Sequence, residues 1–172
     1  MNAQSAVQQQ LGMWHGVVDG MASGCGDALN KNIDGATITS IASVYAHTVF
    51  SEDFIMQGML QGKAPVYQAN GWAQKLGVAP SATDNPAMRP EWGKNVKMDV
   101  AKFKEYAKEV YAATDAYLSS VSDSELQQRI QTPIGEQTKE WVVVSLLGTH
   151  APQHAGEIAA LMGVQGLKGL PF

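Results

Sequence analysis

One cysteine in 172 residues excludes an intrachain disulfide, and Cys25 fits a reducing compartment. Charge is also scarce. Asp, Glu, Lys and Arg make up 16% of the chain, against about 25% in ordinary soluble domains. Little charge means that much of each element's surface is covered, in a core or against another subunit. The 12 Lys and Arg are outnumbered by 16 Asp and Glu, the net charge is −4 and no basic run exists, so nucleic acid is not an expected partner. No apolar run approaches the ~20 residues of a membrane span, and no membrane association is expected. The opening Met1-Asn2-Ala3-Gln4-Ser5-Ala6-Val7 lacks the positive start and apolar stretch of a signal peptide. A cytoplasmic location is therefore expected. GxGxxG, GxSxG, HExxH and CxxC patterns are absent, as is a phosphate-binding GxxxxGK loop. Four histidines are too few for a hemerythrin-like oxygen carrier.

What is present is helical pattern. A hydrophobic fraction of 45% over this length suffices for one domain with its own core. The first helix is expected from about Gln4 to Asp27, with Val7, Leu11, Trp14, Val18 and Met21 as its apolar stripe. Gly16, Gly20, Gly24 and Gly26 weaken its second half. The second runs from a Thr37 or Thr39 N-cap to about Gln61. It is apolar nearly all round, which predicts deep burial, and only Glu52 and Asp53 carry full charges between Ile38 and Leu60. Its aliphatic stripe is Ile38, Ile41, Tyr45, Val49, Met56 and Met59. His47 faces roughly the other way, with Ser40, Ser43, Val44, Phe50, Ser51 and Phe54.

A long irregular region, 63–98, holds four of the seven prolines. Within it, Asn70 to Leu76 can form a short helix anchored by Trp72, and Trp92 can anchor the rest. The third helix opens at an Asp99 N-cap and runs to about Ser120 on a Phe103, Tyr106, Val110, Ala113, Tyr117 stripe. Ser122 caps a short turn, Gln131 to Gly135 reads as a linker or small hairpin arm, and the fourth helix spans about Thr138 to Met162. The expected architecture is all-α: a single-domain four-helix bundle with a long connection between helices 2 and 3.

His150 and His154 stand four apart on the last helix, one turn above each other. By periodicity they fall in an inward stripe with Val143, Leu147, Glu157 and Leu161. Polar groups in a core stripe need partners, and a metal ion is one. Three neutral imidazoles suit zinc, nickel, iron or copper. Three protein ligands leave a position open for water or a substrate thiolate. Glu157, one turn beyond His154, can orient a ligand or accept a proton. His15 borders the stripe of the first helix, and its spacing does not demand a place in the site. Pro152 lies between the pair and predicts a kink, with Gly148 making room for it.

The segment His150-Ala-Pro-Gln-His154-Ala-Gly-Glu157-Ile158 resembles the last-helix signature of the DinB-like superfamily. Tyr45-Ala46-His47-Thr48-Val49-Phe50-Ser51-Glu52 resembles its second-helix histidine motif. The resemblance implies a divalent metal, nickel or zinc, held by His47, His150 and His154. It also implies a low-molecular-weight thiol as co-substrate in S-transfer or thiol-dependent isomerisation, a small-molecule substrate, and a homodimer. A second reading of the same residues is a non-catalytic helical bundle that binds a small molecule or a partner protein, its histidines satisfied by core hydrogen bonds.

Overall fold

The computed structural model describes residues 3–37, 40–81 and 89–172. Those residues are mostly helical, with one two-stranded sheet. Helix α1 covers Ala3–Gly24 and buries Val7, Leu11, Val18 and Met21. It stops earlier than the sequence suggests. Gly26 has φ of 52°, a left-handed conformation that a residue without a Cβ adopts at little cost.

Helix α2, Ile41–Asp53, begins at Ser40 rather than at a threonine. The Ser40 side chain accepts from the Ser43 N–H, and the Ser43 hydroxyl accepts from the Ser40 N–H. This reciprocal cap satisfies two backbone donors that a helix start leaves open. Of the two threonines expected to cap it, Thr37 lies outside the helix, and Thr39, like the stripe residue Ile38, lies outside the described residues. The helix runs on through one wide, π-type turn, Phe54–Met59.

The connection that follows carries more order than its composition suggests. It contains α3, Val66–Ala69, a short 3₁₀ turn at Trp72–Gln74, and α4, Arg89–Asn95. Asp53 organises its start: its carboxylate accepts from the backbone N–H groups of Val66 and Tyr67 at 2.8 and 2.9 Å and from the Tyr106 hydroxyl at 2.7 Å. Both expected anchors hold. Trp72 is buried and donates to Glu109, and the Trp92 indole donates to the Ala79 carbonyl. Pro86 lies outside the described residues.

Helix α5, Val100–Ser120, is capped by Asp99 as expected. Ser122 caps α6, Asp123–Leu126. The anticipated arm is an antiparallel hairpin, β1 Arg129–Thr132 with β2 Gly135–Thr138. Thr138 caps α7, Lys139–Trp141, which continues through a second wide turn, Val142–Leu147, into α8, Gly148–Val164.

Helix α1 lies along α8 and α5, and α2 also packs against α8 and α5. Two clusters fill the space between them. One is centred on Val18, Tyr45, Val49, Phe103, Tyr106 and Ile158, the other on Leu11, Met56, Leu60, Leu118, Val142 and Leu147. Among the described residues, no helix is long and apolar enough to cross a membrane.

Candidate metal centre

Helix α2 is buried on nearly every side. From Ile41 to Gly58 the positions not buried are His47, Ser51, Phe54 and Gly58, a 4-3-4 spacing that traces one strip along the helix. His47 therefore sits where α2 reaches the surface. On α8 the buried positions are Gly148, Ala151, Ala155, Ile158, Leu161 and Met162. His150, His154 and Glu157 each lie one residue before a buried position and are half-buried. This corrects the expected inward stripe: the histidines flank the core instead of lying in it.

Because α2 packs on α8, the two margins meet. The His47 ring centroid is 5.2 Å from that of His150 and 4.8 Å from that of His154, and the His150 and His154 rings are 4.3 Å apart. Each residue offers one nitrogen to a set whose members all lie within 4.8 Å of one another. The Nε2 atoms of His150 and His154 are 3.1 Å apart.

The Nδ1 atoms of His47 and His154 have partners on their own helices. His47 Nδ1 is 3.3 Å from the Ser51 hydroxyl, one turn on. His154 Nδ1 is 2.6 Å from Glu157 Oε2. An ionised carboxylate only accepts, so His154 donates to it from Nδ1, and in the neutral imidazole that leaves the Nε2 lone pair facing the other two rings. This is the arrangement a ligating histidine requires, with the far nitrogen held by a carboxylate. Two imidazole nitrogens on one tetrahedral ion at ~2.1 Å would stand about 3.4 Å apart. The His150–His154 separation is close to that, and the nitrogen His47 offers lies within 4.8 Å of both. The donor set fits a divalent metal.

Pro152 leaves the pair intact. With no N–H it cannot bond the Gly148 carbonyl one turn back. That carbonyl instead accepts from the Gln10 side-chain amide of α1 at 3.0 Å, and α8 continues unbroken to Val164. The irregularity lies ahead of the proline, in the wide turn 142–147. Gly148 is not obligatory for space, since a Cβ there would meet Val143 O at 3.5 Å and Gln10 and Val7 at 4.0 Å, ordinary contacts.

His15 belongs elsewhere. Its Nε2 is 2.8 Å from Glu52 Oε2, Thr114 donates to Glu52 Oε1 at 2.7 Å, and the ring stacks on Tyr111 at 3.6 Å. One turn along α1, Asp19 accepts from the Tyr45 and Tyr111 hydroxyls at 2.6 and 3.1 Å. Burial first, then the Asp19 carboxylate, pushes the Tyr45 hydroxyl far up, so it stays a donor. Glu52 and Asp53, only 2% and 1% exposed, are thus structural carboxylates with full sets of partners. Burial pushes the Asp53 carboxyl up, against the downward pull of its three hydrogen bonds. The cue in the sequence was adjacency: two acids side by side in an otherwise apolar helix.

A family model of the DinB superfamily matches residues 14–158. The chain belongs to the DinB superfamily. No curated protein matches it. Among solved structures, this DinB-superfamily chain is similar to the one titled "Crystal structure of the conserved protein of locus from Enterococcus faecalis". The TM-score is 0.79 and the identity 19%, over 94% of this chain and 95% of that one. At that identity the likeness is one of fold.

Proposed function

We propose that this DinB-superfamily protein is a divalent-metal-dependent enzyme that uses a low-molecular-weight thiol against a small electrophile, in S-transfer or thiol-dependent isomerisation. The observation carrying this reading is the convergence of His47, His150 and His154 from two helices, with Glu157 fixing the proton of His154 on the outer nitrogen. A divalent ion held there, nickel or zinc, would act as a Lewis acid and lower the pKa of a bound thiol. The residues of the chain do the rest. The half-buried histidines leave one side of the site open to solvent, where a small substrate enters. Phe54, 55% exposed on the same strip as His47, offers that substrate an apolar wall. Glu157, engaged with His154, serves orientation more readily than proton transfer. In this reading the four long helices form one four-helix bundle domain, and the protein is a cytoplasmic homodimer.

Metal analysis of protein purified without chelator is the direct test. About one equivalent is expected in the wild type and little in His154→Ala. Equal, near-zero content in both would sink the proposal. A second reading has its own support: at 3.1 Å, the Nε2–H of His150 can donate to Nε2 of His154 and satisfy that ring with no ion. A non-catalytic bundle follows if thermal unfolding of the wild type is indifferent to both added metal and chelator.

A further inference from the structure

Pro152 and Gln10 come from opposite ends of the chain and meet at one carbonyl. In an α-helix the Gly148 carbonyl takes its hydrogen from residue 152, and proline has none to give. Gly148 is buried, so water replaces the missing donor poorly. The Gln10 side chain reaches across from α1 and donates to that carbonyl at 3.0 Å. Around this contact α1 and α8 pack side by side, with Val7 of α1 close to Gly148. The turn so held, Gly148 to Ala151, carries His150, and His154 follows one turn later.

We propose that Gln10 is a positioning residue for the histidine site: its amide supplies the hydrogen bond that Pro152 cannot make, and so fixes the first turn of α8 and the His150 ring upon it. A proline between two ligating histidines stiffens the backbone there, since its φ is fixed. The cost is one unpaired lone pair on a buried helix carbonyl. A donor from a neighbouring helix removes that cost and adds something an intrahelical bond cannot: it ties the height of α8 to α1. Gln10 therefore acts on the site through Gly148. The part of this proposal that concerns metal affinity rests on the metal reading above; the part that concerns the hydrogen bond does not.

A double-mutant cycle on the full-length chain tests both. Gln10→Met keeps the length of the side chain and removes the donor. Pro152→Ala restores a helical N–H to residue 152. On metal-free protein, Gln10→Met is expected to lower Tm by about 3 °C in the wild type and to have under a third of that effect in the Pro152→Ala background. Cobalt(II) alone, followed by its visible absorption, is expected to bind about fivefold more weakly to Gln10→Met, with affinity recovered in the double variant. Equal Tm losses in both backgrounds would show that Gln10 merely packs, and would overturn the assignment. Coupled Tm values with unchanged cobalt affinity would overturn the positioning of His150. A wild type that binds no cobalt counts against the metal reading, and the metal-free unfolding cycle then still decides whether Gln10 replaces the proline's missing donor.

Discussion

At His154 a single carboxylate decides which nitrogen faces the centre of the site. Glu157 Oε2 accepts from Nδ1 at 2.6 Å, and carboxylate partners of ligating histidines contribute 10- to 100-fold to metal affinity in general. Removing the acceptor in Glu157→Ala should therefore weaken metal binding by about tenfold, measured by competition with a chromophoric chelator. Glu157→Gln, whose carbonyl oxygen still accepts from Nδ1, should lose much less. Equal losses in the two variants would mean that the charge of Glu157, not its hydrogen bond, matters. The contact between Glu157 and His154 could be seen in the sequence because the two lie three residues apart on the same helix. The place of His15 could not. Its partners Glu52 and Thr114 come from α2 and α5, and spacing along one helix carries no information about residues on another. The same blindness hid Gln10. A glutamine on the polar side of an amphipathic helix looks like ordinary surface until the helix opposite it is found to contain a proline.

Among the elements, the last helix teaches most about reading periodicity. Counted at 3.6 residues per turn from Val143, the inward positions are Leu147, His150, His154, Glu157 and Leu161. The wide turn over Val142–Leu147 holds one residue more than an α-turn. Beyond it the buried positions move on by one, to Gly148, Ala151, Ala155, Ile158 and Met162, with Leu161 still buried beside the last of them. The histidines are thereby shifted from the core to its margin, where α2 presents His47. Nothing in the local sequence Val142-Val-Val-Ser-Leu-Leu147 announces a π-type turn, so the helix was legible and its phase was not. The caps Asp99 and Ser122 were legible because each acts within three residues of itself. Helix α1 allows an element-scale prediction. Gly12, Gly16 and Gly20 are exposed and a Cβ at each would meet nothing within 4 Å. Each Gly→Ala change should add about 1 kcal/mol of stability through backbone entropy, read as a higher midpoint in urea with an unchanged slope. A loss at any of the three would mean that this face of α1 is covered by another molecule.

For the molecule as a whole, His47 and His150 are about a hundred residues apart in the chain, and one ion between them would clip α2 to α8. A ligand that binds only the folded state stabilises it by about 2.7 kcal/mol at a hundred times its Kd. For a chain of this length that corresponds to a rise in Tm of about 8 °C. Adding the metal to stripped wild-type protein should produce that rise, a chelator should reverse it, and His47→Ala should abolish it while keeping the helical circular dichroism. The fold at this scale was largely readable. Four long helical segments, a long connection and a small arm are found among the described residues, and an organising contact of the connection, Asp53 on the first N–H groups of α3, spans only 14 residues at most. The two wide turns carry a further consequence, for chain length. Each holds a residue beyond what a regular helix requires, one about two turns after His47 and one just before the His150 pair. At either place a one-residue deletion can be absorbed by tightening the turn to α, with the helix on both sides left where it is. The same deletion between His150 and Glu157 would swing the rings about 100° apart around the axis. Length variation in this protein is therefore tolerated beside the site and forbidden within it.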